Sequence, residues 1–411
     1  MSSRLTVNGR EYAWPRCPTV VICVDGCAPD YLDQAIAAGH MPFFATMRRR
    51  GLDLAAECVV PSFTNPNNLS IVTGVPPAIH GICGNYLIDP DSGEAVMMND
   101  PRFLRCGTLL AAFAEAGARV AVVTAKDKLR ALLGHGLPLA EGRCVCFSAE
   151  KSDRATLAEH GIAGVTDLVG MATPSVYSAE LSEFVFAAGV RLLETAPFDL
   201  IYLSTTDYIQ HKHAPGSAAA NGFYGMMDRY LARLDRLGAT IALTADHGMS
   251  AKHDAEGRPN VVYLQDLADG LLGPGRARVI LPITDPYVVH HGALGGFAVI
   301  YLASAADGPA LAERLAATPG IAEILPRDEA CARFALPPDR EGDLIVIAAP
   351  AWTLGASPDQ HDLSQLREPL RSHGGTSEQR VPLVVNRKGE VSPSHRPRNF
   401  DAFALALNGT L

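Results

Sequence analysis

Three acidic side chains stand at or next to the ends of apolar runs, and two of them have a histidine nearby. The residues concerned are Asp25, Asp207, His211, Asp246 and His247. Carboxylates that a fold brings together repel one another unless they are protonated or bound to a cation. Carboxylate oxygens and imidazole nitrogens form a ligand set suited to zinc and similar divalent ions. The pattern therefore predicts a divalent metal site, if the fold joins these segments.

Each feature also has a plainer structural explanation. A strand that ends in Asp-Gly, as at Asp25, is typical of a turn, and Asp207 would make a good helix N-cap. If a helix does start at Asp207, His211 lies on the same face, with its Cβ about 5–6 Å away. Adjacent ionisable residues, as at Asp246 and His247, gain nothing structural at a strand end. Independent turns and caps need not supply two histidines at one edge, so the set as a whole favours metal ligands.

The segment 59–74 contains the candidate nucleophile, Thr64. Its apolar lead-in, Pro-containing turn and following NNLSIVTG run predict a strand, a tight turn and the start of a helix. The amides of a helix N-terminus favour an anionic oxygen or a phosphate. A threonine hydroxyl is a poor nucleophile by itself and needs activation, which binding to a metal ion supplies. The alternative is that Ser62 or Thr64 only caps the helix.

The elements that would position these residues are visible as apolar runs rich in Val and Ile, which are typical of buried parallel strands. The runs are 19–24, 119–124, 199–205 and 240–245, with helical periodicity between them at 109–118 and 182–196. This alternation predicts an α/β fold with a doubly wound, mostly parallel sheet. The carboxyl ends of parallel strands meet at one edge, where ligands bind in such folds. The three carboxylates fall at that edge.

After residue 250 the pattern changes, with glycine and proline clustered at 270–278. The segments that follow predict strands at 277–284, 295–304 and 343–351 and a helix at 309–320. Roughly one hundred residues is an ordinary size for a small α+β domain. We therefore predict an inserted cap domain at 255–367 in a catalytic core formed by 1–254 and 368–411. A strand at 381–386 is expected to return to the main sheet.

The composition limits the class of protein. The 411 residues are 48% apolar and 19% charged, which excludes a disordered chain. A net charge of −9 argues against binding to a nucleic-acid backbone. No run approaches the ~18 apolar residues of a membrane span, and residues 1–15 show no secretory signal. Nine cysteines without a C-x-x-C pair favour reduced thiols. We expect a cytoplasmic protein with a small-molecule substrate and no nucleic-acid or membrane partner; a homo-oligomer stays open.

The order of these motifs resembles the alkaline phosphatase superfamily, on its nucleotide pyrophosphatase/phosphodiesterase branch. The matching features are Asp25, the P-S-F-T-N-P-N stretch around Thr64, the T-D-x-x-x-H pair of Asp207 and His211, Asp246-His247-Gly248, and a later His-Gly at His373. The resemblance covers 17–254 and 368–411 and implies an alkaline phosphatase-like core with two zinc ions per chain. One ion would be held by Asp207, His211 and His373, and the other by Asp25, Thr64, Asp246 and His247.

His373 is one of several downstream histidines. The others are His290, His291, His361 and His395. His373 is favoured by its two glycine neighbours and by its place just after the predicted cap.

Two lysines, Lys126 and Lys128, follow the strand at 119–124 and would lie near the same sheet edge. They are either a solvated charge cluster, as is usual for lysine, or cations for an anionic substrate. By resemblance, Thr64, Asn85 and the two lysines bind the substrate. Asn85 would contact a phosphoryl oxygen, and the lysines a carboxylate beside a phosphonate. The expected reaction is hydrolysis of phosphonoacetate to acetate and phosphate through a phosphothreonine at Thr64.

Other functions predict different residues or a different use of the same residues. A nucleotide pyrophosphatase or phosphodiesterase would use the same metals and Thr64 but not the lysine pair. A non-catalytic, metal-dependent phosphonate-binding homologue would not need the intact Thr64. A sulfatase would carry C-x-P-x-R, whereas the segment starting at Cys27 lacks the Arg. A phosphoglycerate mutase of this superfamily would use a serine, and Ser62 stands at the wrong position of the motif.

Overall fold

The computed structural model describes residues 4–139, 143–284, 292–364 and 366–411. The strands are β1 Arg4–Val7, β2 Arg10–Ala13, β3 Thr19–Cys23, β4 Leu52–Glu57, β5 Tyr86–Ile88, β6 Ala95–Met97, β7 Val120–Thr124, β8 Cys144–Ser148, β9 Leu200–Ser204, β10 Thr240–Thr244, β11 Ser250–Ala251, β12 Val261–Tyr263, β13 Ala277–Ile280, β14 Phe297–Leu302, β15 Ile321–Pro326, β16 Leu344–Ala348, β17 Thr353–Gly355, β18 Arg371–Ser372 and β19 Arg380–Val385.

The α-helices range from one turn to five turns. They are α1 Pro29–Ala37, α2 Pro42–Arg50, α3 Thr64–Thr73, α4 Pro77–His80, α5 Leu109–Glu115, α6 Asp127–Leu133, α7 Leu157–His160, α8 Val165–Val169, α9 Glu180–Thr195, α10 Tyr208–Lys212, α11 Ala218–Arg236, α12 Leu264–Leu272, α13 Gly308–Ala316, α14 Arg327–Phe334 and α15 Ala402–Asn408. Within the described ranges, none of them has both the length and the apolar surface needed to cross a bilayer.

The centre of the fold is a seven-stranded sheet in the order β4-β19-β10-β3-β9-β7-β8. The five strands from β10 to β8 pair in parallel, and β19 and β4 are antiparallel at one side. Every residue of β3, β7, β9 and β10 is buried. Since successive side chains point to opposite faces of a sheet, both faces are covered. The predicted mostly parallel α/β fold is confirmed, and so is the returning strand at 381–386.

Two strands of this sheet were not recognised in the sequence. β4 lies at the sheet edge in the short polar run LDLAAE, where exposed side chains alternate with half-buried or buried ones. β8 is fully buried, but its run CVCFS contains two cysteines and a serine and has no isoleucine and one valine. Short runs of this kind do not separate from loops or helix segments by periodicity alone.

A second sheet contains four antiparallel strands in the order β13-β14-β16-β15. The helices α13 and α14 pack against β15, so this part has the predicted α+β character. It is joined to the segment that contains His373 by backbone hydrogen bonds: Gly296 N–H donates to the His373 carbonyl at 2.8 Å. The Ser372 hydroxyl also donates to the Leu294 carbonyl at 2.6 Å. The cap boundaries at 255 and 367 remain a prediction.

Candidate active site

Four adjacent parallel strands end at the same edge, because their registers match. Thr244 of β10 pairs with Cys23 of β3, which pairs with Ser204 of β9, which in turn pairs with Thr124 of β7. The residues that follow these strand ends are therefore neighbours. They are Asp246, Asp25, Asp207 and Lys126. The expectation that the carboxylates meet at one sheet edge is confirmed.

Asp207, His211 and His373 form one group of potential metal ligands, whose ligand atoms all lie within 4.8 Å of one another. Asp207 Oδ2 is 2.8 Å from His211 Nε2 and 3.7 Å from His373 Nε2. Asp207 precedes the one-turn helix α10, which carries His211. The predicted four-residue spacing on one helical face is thus present, and His373 arrives from the segment after β18.

A second group consists of Asp25, Asp207 and His247, again with ligand atoms within 4.8 Å of one another. His247 Nε2 lies 3.3 Å from Asp25 Oδ1 and 3.8 Å from Asp246 Oδ2. Asp207 therefore belongs to both groups, whereas the sequence-based division gave it to one ion only. Asp246 lies beside the second group and has no exposed surface.

All three histidines present Nε2 to the centre, since each Nδ1 faces a backbone carbonyl. The acceptors are Arg371 O at 2.8 Å for His211, Gly248 O at 2.9 Å for His247, and Ser62 O at 2.8 Å for His373. A carbonyl only accepts, so Nδ1 carries the hydrogen and Nε2 of the neutral ring has a free electron pair. This is the usual orientation of histidines that bind metals.

The clustering of buried carboxylates at the site favours a bound cation. Burial, with the nearby Asp207 and Asp246 carboxylates, raises the pKa of Asp25 well above its usual range. Burial likewise raises the pKa of Asp246, against the effect of His247. Asp25 Oδ1 and His247 Nε2 are buried 3.3 Å apart, and neither makes a well-formed hydrogen bond to a described residue. Buried donor atoms without partners and excess negative charge fit a divalent metal ion.

Thr64 is the first residue of α3, as expected, and it is half-buried. Phe63 occupies the N-cap position, and no side-chain cap is present there among the described residues. The Ser62 hydroxyl instead donates to the Gly375 carbonyl at 2.8 Å. The alternative that Ser62 or Thr64 only caps the helix is therefore wrong.

The predicted substrate residues line one cleft together with the metal-ligand candidates. Its lining includes Asp25, Thr64, Asn85, Lys126, Lys128, Asp207, His211 and His373. Asn85 Oδ1 accepts a hydrogen bond from the Asn65 N–H at 3.0 Å, which directs the amide nitrogen of Asn85 away from Asn65. The structure thus brings both lysines and the nucleophile candidate to one cavity.

A family model described as type I phosphodiesterase / nucleotide pyrophosphatase matches residues 19–376. The chain belongs to this family. In two crystal structures, phosphonoacetate hydrolase from Sinorhizobium meliloti 1021, in complex with phosphonoformate or phosphonoacetate, is 59% identical to it. Each match covers 100% of this chain and 99% of the other, with a TM-score of 0.95. Murine ectonucleotide pyrophosphatase/phosphodiesterase 5 is 17% identical with a TM-score of 0.62, over 96% of this chain and 95% of the other, and shows the fold alone.

Curated relatives match over shorter stretches. An ectonucleotide pyrophosphatase/phosphodiesterase of Caenorhabditis elegans is 34% identical over 104 residues, 20% of this chain and 12% of the relative. A phosphonoacetate hydrolase of Penicillium oxalicum is 63% identical over 30 residues, 7% of this chain and 42% of the relative. The chain therefore spans less than half of each of these two relatives.

This family member contains one site residue that the sequence interpretation missed, Asn68. It is buried one turn after Thr64, and its Nδ2 donates to Asp246 Oδ2 at 3.2 Å. Its Oδ1 accepts from the Tyr202 hydroxyl at 2.8 Å and the Ser204 hydroxyl at 2.9 Å. Three asparagines within four positions of the predicted helix start, in NPNN, were the available signal, since asparagine is a poor residue for a helix interior.

The competing histidines have other partners. His361 accepts from the Ala356 N–H at 2.8 Å and bonds the Gly292 carbonyl through Nδ1 at 2.6 Å. His395 bonds Asp401 at 2.8 Å. His290 and His291 lie outside the described residues. Of the histidine candidates in the described ranges, His373 is the one that joins Asp207 and His211.

Proposed function

We propose that the protein hydrolyses the carbon–phosphorus bond of phosphonoacetate, which yields acetate and phosphate. The observation that carries this proposal is the position of Lys126 and Lys128 in the cleft that also contains Thr64 and the metal-ligand candidates. The full-length similarity to an enzyme whose crystal structures contain phosphonoacetate and phosphonoformate supports it.

We assign two zinc ions per chain to the site, held by the seven residues named from the resemblance. These are Asp25, Thr64, Asp207, His211, Asp246, His247 and His373. Asp25 Oδ1 and His247 Nε2, which are buried and make no well-formed hydrogen bond to a described residue, support this assignment. The bound ions would neutralise the carboxylates, favour the ionised Thr64 hydroxyl and stabilise charge on the phosphoryl oxygens.

Thr64 attacks phosphorus, so a threonine–phosphorus bond forms as the phosphorus–carbon bond breaks. The first amides of α3 favour the negative charge near Thr64. The Asn85 amide, oriented by its bond from Asn65, donates to a phosphoryl oxygen. Water then cleaves the phosphothreonine and restores the Thr64 hydroxyl.

The lysines act on the leaving group. Carbon leaves phosphorus with an electron pair, and the adjacent carboxylate takes up the developing charge as an enediolate. The ammonium groups of Lys126 and Lys128 stabilise that charge where it forms. Protonation of the carbon then releases acetate.

The family assignment favours a second candidate, phosphodiester or nucleotide pyrophosphate hydrolysis at the same site. This reaction would use Thr64 and the metals but would not need the lysine pair. The third hypothesis is a protein that binds phosphonates without turnover. Product release would distinguish it from the two hydrolases.

The test is phosphate release from phosphonoacetate and hydrolysis of bis-p-nitrophenyl phosphate, measured side by side on the zinc-loaded protein. Lys126→Ala and Lys128→Ala are assayed in parallel. We expect phosphonoacetate turnover that falls about 100-fold or more in the lysine variants, with diester hydrolysis spared. Diester turnover alone would assign the protein to the phosphodiesterases.

We also propose a cytoplasmic location. All nine cysteines, each in the described part of the chain, are free thiols. Cys144 and Cys146 lie two residues apart on the same face of β8, and no disulfide joins them. Reduced thiols are typical of cytosolic proteins.

A further inference from the structure

Asp127 lies between the two lysines but is not among the residues that line the cleft. Its carboxylate faces the end of β8 and its own helix instead. Oδ1 accepts from Arg130 Nε at 2.7 Å and from the Ser148 hydroxyl at 3.0 Å. Oδ2 accepts from Lys151 Nζ at 2.7 Å. The side chain is 15% exposed, so three donors hold it in a largely buried position.

The backbone of the same segment is also anchored. The Asp127 N–H donates to Glu150 Oε2 at 2.8 Å. The Thr124 hydroxyl donates to the Lys126 carbonyl at 3.0 Å, and the Ala125 N–H donates to the Ser204 carbonyl at 2.9 Å. The segment that presents the lysines is thus tied to β9 and to the residues after β8.

We propose that Asp127 is a positioning residue that sets the two flanking lysines for a carboxylated phosphonate. Lys126 and Lys128 line the cleft, and Asp127 between them is held on the other side. The carboxylate therefore anchors the turn from outside the cleft. This inference rests on the proposed function and goes beyond it, because it assigns substrate discrimination to a residue that does not touch the substrate.

The charge of Asp127 is maintained over the physiological range. Burial by itself would raise the pKa of this carboxyl, but the hydrogen bonds from Lys151 and Arg130 outweigh that effect and lower the pKa to about 2. The anchor is consequently ionic as well as hydrogen-bonded, and it does not weaken near neutral pH.

The experiment compares Asp127→Ala with the wild-type zinc-loaded protein on phosphonoacetate and on bis-p-nitrophenyl phosphate. The Kd of phosphonoacetate is measured by titration calorimetry on the same samples. We expect KM and Kd for phosphonoacetate to rise about tenfold, while kcat/KM for the diester stays within about twofold. Lys151→Met, at a side chain that is 46% exposed, removes one donor with little risk to folding and should raise KM about threefold.

The matched control is Glu194→Ala. Glu194 also accepts from two cations, Arg191 and Arg233, both at 2.8 Å, but it lies near the end of α9, close to the opposite edge of the sheet. Glu194→Ala should leave KM and Kd for phosphonoacetate and kcat/KM for the diester unchanged.

Equal losses of activity on both substrates would show that Asp127 is only structural and would overturn the inference. An unchanged or lower KM and Kd for phosphonoacetate would overturn it as well, because the added positive charge would then matter more than position. If the wild-type protein neither binds nor cleaves phosphonoacetate, the proposed function fails and this inference fails with it. Binding without cleavage would remove the proposed reaction only, and the Kd values would still decide the role of Asp127.

Discussion

At the scale of single residues, Thr64 is the most direct test of the proposed chemistry. Thr64→Ala removes the attacking oxygen, so we expect the rates on both substrates to fall by about 1000-fold or more. Thr64→Ser keeps a hydroxyl at the first position of α3 and should retain part of the activity. Metal content is measured on the same samples, because Thr64 is itself one of the proposed ligands and loss of metal would also lower the rates. A Thr64→Ala variant that keeps the wild-type rate would exclude a phosphothreonine intermediate.

Asn68 tests whether a residue that contacts a ligand candidate controls metal binding. Asn68→Ala removes the donor to Asp246 Oδ2, and we expect zinc affinity to fall about 10- to 100-fold. Competition with a fluorescent chelator measures this affinity. Tyr202→Phe is the matched control, because it deletes one bond to Asn68 but leaves the bond from Asn68 to Asp246. Zinc affinity that is unchanged in Asn68→Ala would show that the amide only packs.

At the scale of elements, the predictions from sequence succeeded where long-range context was unnecessary. The runs at 19–24 and 240–245 are continuous in apolar residues, and such runs form central parallel strands. The sequence does not predict β8 and β4, because the burial of β8 and the edge position of β4 are set by neighbours in space. The same reason explains Asn68: its partners Tyr202 and Ser204 lie on β9, far away in the chain. The pairing of Asp207 with both ligand groups likewise depends on three-dimensional distances.

Glu341, three residues before β16, makes the free energy of unfolding depend on pH. Glu341 is buried, which raises its pKa from the ordinary 4.5 to about 8. A carboxyl whose pKa is raised on folding stabilises the fold below its ordinary pKa, and this contribution is lost as the pH rises through about 8. Between pH 5 and pH 8.5 the loss is on the order of 4 kcal/mol.

Glu341→Gln removes this titration. We expect its free energy of unfolding, from urea denaturation at several pH values, to change less between pH 5 and pH 8.5 than that of the wild-type protein. Glu115→Gln, at an exposed position of α5, is the control. Parallel pH profiles of wild type and Glu341→Gln would contradict the expected contribution.

At the scale of the whole molecule, metal removal should link the active site to global stability. His247 has its pKa raised to about 10: burial acts against this, but Asp246 and Asp25 outweigh burial. The pKa of Asp25 is raised well above its usual range by burial and by its carboxylate neighbours. Both groups stabilise the metal-free fold when protonated, so that stability is lost as the pH rises. The depressed pKa of His373, caused by burial and by His247 and His211, acts only below the ordinary histidine value.

We therefore expect the Tm of chelator-treated protein to fall between pH 7 and pH 9.5, while the Tm of the zinc-loaded protein changes little in that range. Differential scanning calorimetry on both forms makes the comparison. Re-addition of zinc should restore the Tm at every pH. Identical pH dependence in the two forms would argue against a metal ion among these carboxylates.

The hydrogen bond from Gly296 to the His373 carbonyl has a consequence for the evolution of the chain. Gly296 directly precedes a strand of the second sheet, and a Cβ added there would lie 2.6 Å from the Gly375 nitrogen. The second sheet is therefore built onto the peptide that presents His373 and does not hang from the core by loops. Deletion or exchange of this sheet would remove support from a metal-ligand candidate. We expect proteins with this fold to vary in the length of the far strand connections of that sheet and to keep its root at 295–297 together with His373.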